Sequence, residues 1–309
     1  MSPAAPSGGA GRSRLREALR GARVERRLLW SADDFGLSGP VNEGIVLAHR
    51  QGRVRNASLL AGGAAFEEAV RLARGLPSLC LGVHLAAVEQ RAVLPPERNP
   101  GLTSPDGRLP AGHRQFLARY LAGRIRAAAV EAEWEAQIAR VRDAGLTPEY
   151  LDSHQHLHVL PGLFEATVRL ARRFGVRAVR TPGDVVPGRC GPVRRVLLMG
   201  LFRLGRRARA AARRERLFSP DGTLGVAEAG RITAARIRAW LPWLLLRGAG
   251  TVELVSHPGM GEPQGSPAAA WGYRWAEELA AARDEELAGD LQRAGVIVAG
   301  YRECLAPSP

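Results

Sequence analysis

The chain has 309 residues, 46% of them hydrophobic and 24% charged, with a formal charge of +14. That length is ample for a core and near the upper limit for one domain. A charge of this size suggests nucleic acid, but all 44 basic residues are Arg and two segments account for the whole excess: 1–27, with seven Arg and two Glu, and 189–216, with ten Arg and one Glu. The rest is formally neutral, so no nucleic-acid partner is expected and an Arg-rich nucleic-acid-binding protein is the disfavoured alternative. No apolar run approaches the ~20 residues of a membrane span, and no apolar segment before Leu28 reads as a secretory signal. Cys80, Cys190 and Cys304 offer neither a disulfide framework nor C-x-x-C metal spacing. A cytoplasmic protein is expected.

Residues 1–11 are rich in Ser, Pro, Ala and Gly, a disordered composition, and 12–27 read as a basic helix. Together 1–27 form an N-terminal extension to a single domain spanning 28–309. The first strand, Leu28–Ala32, ends in Asp33-Asp34 and precedes a helix over Asn42–Gln51. A strand at Ala57–Ala61, a helix at Phe66–Arg74 and a strand at Leu79–Leu85 follow. Arg124–Ala144 reads as a long helix, Tyr150–Val159 as extended, Leu163–Phe174 as a helix closed by Gly175, and Ala178–Arg180 as a strand. An Arg-rich insertion near 189–216 separates these from a strand at Thr251–Val255, a helix at Trp275–Ala288 and a last strand at Val296–Ala299. Strands alternating with helices predict an α/β fold with a parallel sheet, and about seven such units suit a barrel-like domain.

Asp33-Asp34, His84, the trio His154, His156 and His158, Arg180 and His257 all fall at or just past the ends of predicted strands. That edge of a parallel sheet is where active sites assemble. Adjacent strand residues point to opposite faces, so Asp33 and Asp34 share one site only if the chain bends, as Gly36 and Ser38-Gly39-Pro40 permit; helix capping is the competing reading. Leu81-Gly82-Val83-His84-Leu85 sets one His among apolar neighbours, the setting of an ordinary core histidine. Asp152-Ser153-His154-Gln155-His156-Leu157-His158, if extended, aligns three imidazoles on one face, a way to present neutral nitrogens to a cation. Val255-Ser256-His257-Pro258-Gly259 delivers a His into a turn. One Asp and two His make a three-ligand set for a divalent ion, leaving a second Asp and another His as base and acid.

Four motifs, Ala32-Asp33-Asp34-Phe35-Gly36, Gly82-Val83-His84-Leu85, Asp152 to His158 and Glu253-Leu254-Val255-Ser256-His257-Pro258-Gly259, occur in an order that resembles the YdjC-like carbohydrate deacetylases, from about Leu28 to Tyr301. Val88 to Pro96 further resembles the hopanoid-associated branch of that family. The resemblance implies a distorted (β/α) barrel of about seven parallel strands with outer helices. It also implies a metal-dependent hydrolase that removes the acetyl group from an N-acetylated amino sugar, soluble or lipid-linked. Carried over by motif, Asp34, His84 and His154 match the ligands of one divalent ion, Mg²⁺ or Zn²⁺, while Asp33 matches the general base and His257 the general acid. His156 and His158 are then candidates for supporting or substrate contacts. Arg180 is added as a cation that keeps Asp33 ionised, or as a purely structural ion pair. A hydrolase of another amide or ester on the same fold is the runner-up. The apolar and Arg-rich run within 189–216 reads either as an interfacial helix drawn to anionic lipid or as a solvated insertion. The sequence leaves oligomerisation open.

Overall fold

A computed structural model describes residues 26–185, 190–246, 250–261 and 267–305. Its organising element is β1 (Arg26–Phe35), buried along its length from Leu28 onward. A strand covered on both faces carries an almost continuous apolar run, as parallel sheets require. One edge of β1 pairs in parallel with β7 (Thr251–Ser256), from Arg27↔Thr251 to Ala32↔Ser256. The other edge is shared: its first residues pair with β8 (Val296–Ala299) and its last with β2 (Asn56–Leu59). Asn56 fills the junction, donating to the Trp30 and Ala299 carbonyls at 3.3 Å each and accepting from the Tyr301 N–H at 2.8 Å.

From β2 the sheet continues through β3 (Cys80–Leu85), β4 (Tyr150–Ser153) and β5 (Ala178–Val179), and beyond β7 it ends in β6 (Gly222–Leu224). Two parallel bridges, Ala178↔Phe218 and Asp184↔Thr223, join the β5 and β6 edges. Seven parallel strands thus curl into a distorted barrel, with β8 as an eighth strand beside β1. The helices lie outside: α1 (Gly39–Arg50), α2 (Phe66–Arg74), α3 (His113–Leu121), α4 (Ala127–Asp143), α5 (Leu163–Phe174), α6 (Pro192–Arg214), α7 (Ala234–Leu246), α8 (Trp275–Ala282), α9 (Glu285–Arg293) and α10 (Tyr301–Leu305).

Several expectations change. The basic helix expected over 12–27 lies outside the described residues up to position 25, and Arg26 and Arg27 belong to β1, not to an extension. Tyr150–Val159 is not one extended run: β4 stops at Ser153, and His154–Val159 coils into short helical turns with Gln155 and His156 at φ 56° and 55°. Left-handed residues break strand alternation, so the three imidazoles diverge. Trp275–Ala288 splits in two because the Asp284 carboxylate accepts the Leu287 N–H at 2.7 Å and caps a new helix, α9. The Arg-rich segment, from residue 190 onward, is the connection between β5 and β6, built around α6. The reading left out α3, β6, α7 and α10.

Candidate active site

The polar side chains singled out in the sequence converge at the C-terminal mouth of the barrel. Asp33 and Asp34 reach it together because the β1–β2 register slips between Ala32 and Phe35, and Asp34 takes a left-handed φ of 68°. Such a bulge re-aims side chains that a regular strand would send to opposite faces. Each carboxylate offers an oxygen within 4.8 Å of a His84 nitrogen. The bend comes at Asp34 itself, ahead of Gly36, whose N–H is fixed by Asn42 Oδ1 at 2.7 Å.

His84, on β3, is buried. Its Nδ1 faces Asp152 Oδ1 at 2.9 Å; a carboxylate only accepts, which assigns the proton to Nδ1 and leaves the Nε2 lone pair free. That Nε2 lies 3.5 Å from Asp34 Oδ1. His154, the first residue past β4, holds Nδ1 3.1 Å from the same oxygen and Nε2 3.0 Å from Glu89 Oε2. Burial alone would lower the His154 pKa, but the carboxylates on either side raise it to about 10.

Asp34, His84 and His154 are one of two buried ligand sets among the described residues; the other is Asp33, His84 and Asp152. Hydrogen bonding separates them. Both Asp34 oxygens are buried and neither accepts a well-directed hydrogen bond, their near neighbours being the two imidazoles on Oδ1, an arrangement that calls for an explanation. The carboxylates of the second set already have a cation and hydrogen-bond donors. Arg180, just past β5 and fully buried, holds Asp33 with both terminal nitrogens at 2.6 and 2.8 Å and reaches Asp152 at 2.7 Å and Glu253 at 2.9 Å. Glu253 also accepts from Ser31 Oγ at 2.6 Å and Tyr301 Oη at 2.7 Å, and Asp152 from Ser58 Oγ at 2.6 Å. A cation beside Asp33 and Asp152 would meet a guanidinium. Beside Asp34 it would meet a partnerless carboxylate and two imidazoles, a donor set that suits Zn²⁺ or a similar divalent ion.

Burial opposes ionisation of Asp33, but Arg180 outweighs it and holds the carboxyl below its usual range. Asp33 is therefore an anion at neutral pH. His257, just past β7, is buried with its backbone N–H donated to Glu278 Oε2 on α8, and its ring Nδ1 lies 3.6 Å from that oxygen. Burial disfavours the imidazolium; Glu278 overrides this and raises the pKa. A charged His257 can give up a proton.

Of the remaining histidines, His158 serves the scaffold. His158 Nε2 lies 2.7 Å from the Arg180 carbonyl, which only accepts, so Nδ1 takes the Ser153 hydroxyl proton at 2.7 Å. His158 is fully buried with both nitrogens occupied, so its contacts are with the backbone of Arg180 and with Ser153. His156 is half-buried in its left-handed turn, and its Nδ1 lacks a partner. Sequence reasoning missed Glu89, held at φ 62° against His154, and Glu278 against His257. It also passed over Trp271 and Tyr273, although Trp271-Gly272-Tyr273-Arg274-Trp275 packs three aromatics into five residues of a chain that is 6% aromatic.

The YdjC-like protein family matches residues 27–293. The chain belongs to it. Proteins named carbohydrate deacetylase from Mus musculus and Homo sapiens are each 36% identical, over 75% and 77% of this chain and 78% and 76% of their own lengths. A carbohydrate deacetylase of Brevibacillus brevis is 36% identical over half of this chain and 59% of its own. The crystal structure of an Enterococcus faecalis V583 protein named for cellobiose-phosphate cleavage covers 91% of this chain and 99% of its own, with a TM-score of 0.73 at 23% identity. That likeness bears on the fold: this YdjC-like chain has the barrel of its structural neighbour.

Proposed function

We propose that this protein is a metal-dependent carbohydrate deacetylase that removes the acetyl group from an N-acetylated amino sugar and releases acetate. The observation that carries the reading is the partnerless Asp34 carboxylate between His84 and His154, beside an Asp33 kept ionised by Arg180. The names of the mouse, human and Brevibacillus relatives support the substrate class. Asp34, His84 and His154 hold one divalent ion, Mg²⁺ or Zn²⁺, which when bound supplies Lewis acidity toward the amide carbonyl. Asp33 takes a proton from the water that attacks the carbonyl carbon. His257 gives a proton to the amide nitrogen as the C–N bond breaks, leaving acetate and a free amino sugar. Arg180 orients Asp33, His158 holds the backbone of Arg180, and Glu89 and Asp152 fix the ring orientations of His154 and His84.

The finer reading is a lipid-linked sugar met at a membrane surface. Among the described residues no helix is long and apolar enough to cross a membrane. The first half of α6, however, leaves Val193, Val196, Leu197 and Met199 exposed by 59 to 73%, flanked by Arg194, Arg195, Arg203, Arg206 and Arg207. An apolar strip bordered by Arg suits the interface of an anionic bilayer.

The test is acetate release from a soluble N-acetylated oligosaccharide and from lipid-linked N-acetylglucosamine, after chelation and after Mg²⁺ or Zn²⁺ is restored. Loss on chelation and recovery on restoration are expected; no release from either substrate overturns the reading. Co-sedimentation with anionic vesicles tests the surface. V196S/L197S should pellet less than wild type, and equal pelleting removes the membrane.

A further inference from the structure

Trp271, Tyr273 and Trp275 stand together over the two functional halves of the mouth. The Trp271 ring centroid is 5.1 Å from that of His154, and the Tyr273 centroid is 4.7 Å from that of His257. The three aromatics also contact one another, with centroids 5.3 Å apart for Trp271–Tyr273 and Tyr273–Trp275 and 6.2 Å for Trp271–Trp275. Exposure divides them. Trp275 is buried and backs the cluster, whereas Trp271 and Tyr273 are only half-buried and keep surface open to solvent.

The cluster is held in place by backbone. The Arg274 N–H donates to the Gly230 carbonyl at 2.7 Å, and the Gly259 N–H donates to the Trp275 carbonyl at 3.1 Å. The Tyr273 ring sits against Gly230 so closely that a Cβ there would meet it at 2.1 Å. Trp271 and Tyr273 pack against the core on one side and keep part of their surface open beside the titratable groups of the mouth. Pockets for organic ligands are lined by such rings together with a few convergent polar groups.

We propose that Trp271 and Tyr273 form the stacking wall for the pyranose ring that itself carries the acetamide. The inference rests on the deacetylase reading and names the part of the substrate that the wall takes. A pyranose presents C–H groups on its faces, and the electron-rich face of an indole or phenol attracts them. The placement selects the ring. The amide nitrogen that His257 protonates is bonded directly to a ring carbon of its own sugar, and the carbonyl carbon lies beside the His154 side of the mouth. A wall in contact with both His154 and His257 lies against the sugar between them, not against its neighbour in a longer chain.

The experiment measures steady-state kinetics of the metal-loaded full chain on N-acetylglucosamine and on its N-acetylated disaccharide, for W271A and W271F. W271A should raise KM at least ~10-fold for both substrates with kcat changed less than ~3-fold, and W271F should recover KM to within ~3-fold. Unchanged KM in W271A overturns the wall. A penalty confined to the disaccharide also overturns it, because the stacked ring would then be the neighbouring one. So does W271F failing as badly as W271A, provided that thermal melts show both variants folded. Quenching of tryptophan fluorescence by the same sugars separates this inference from the one beneath it. If wild type binds sugar with a quench that W271A loses, yet releases no acetate, the wall stands and the deacetylase reading falls.

Discussion

The Arg180 cluster and the Asp34 cluster lie on the same barrel rim and are both buried, yet their charges are treated differently. Around Arg180 one guanidinium meets three carboxylates, and the acids are further satisfied by Ser31, Ser58 and Tyr301. Around Asp34 both carboxylate oxygens lack hydrogen bonds and two imidazole nitrogens face one of them. Burying a charge without partners is expensive. One side pairs its carboxylates with a guanidinium and hydroxyls, whereas the other leaves a buried carboxylate without a hydrogen bond, the arrangement expected of a ligand site. The satisfied side sets geometry, and the open side is the one whose residues could hold a cation.

This contrast breaks first at Asp34. D34N or H84A should lose bound metal, read by atomic absorption, and turnover should fall more than ~10³-fold. Wild-type metal content in D34N would dissolve the distinction. D33N comes next: it should keep its metal while turnover falls by ~10² to 10⁴-fold, the range of general acid–base catalysis. If D33N also loses metal, Asp33 belongs to the open side.

R180M attacks the satisfied side, and its main effect should be on stability. Leaving buried carboxylates without their cation costs about 3–5 kcal/mol, a fall in Tm of roughly 5–8 °C for a chain of this size. A melting point within 2 °C of wild type, at the same metal content, would show that the cluster is not structural. The smallest effect is at His158. Burial holds its pKa down to about 4, against about 6.5 in an unfolded chain. The unfolded state therefore binds the extra proton between these values. Stability contributed by His158 is whole above pH 6.5 and is lost as pH falls toward 4, by about 3 kcal/mol at most. Thermal melts across that range should show a decline in wild type that H158Q lacks; parallel curves would remove His158 from the account.

The positions of the polar groups along the chain were legible early. Asp33, Asp34, His84, His154, Arg180 and His257 each follow an apolar run, and each stands at or near the end of a strand. What the sequence hid was direction. Alternation would send His154, His156 and His158 to one face, but left-handed backbone at Gln155 and His156 sends His154 to Asp34 and His158 to Arg180. Glu89 and Glu278 come from segments whose local pattern says nothing of the site, because their partners lie 65 and 21 residues away. Trp271 and Tyr273 were visible as a local excess of aromatic residues, yet nothing nearby in the chain marked them as part of the mouth.

By itself the sequence determined the alternation of strands and helices, the edge at which chemistry gathers and the confinement of the +14 charge to two segments. Those properties depend on local periodicity and on counting. Only the tertiary structure decided which of two adjacent aspartates is tied to Arg180 and which is left open. That choice is made by a register slip in β1 and by an arginine 147 residues further along the chain. A one-residue bulge reverses the face of a side chain, and long-range ion pairs form only once the barrel has brought the strands together.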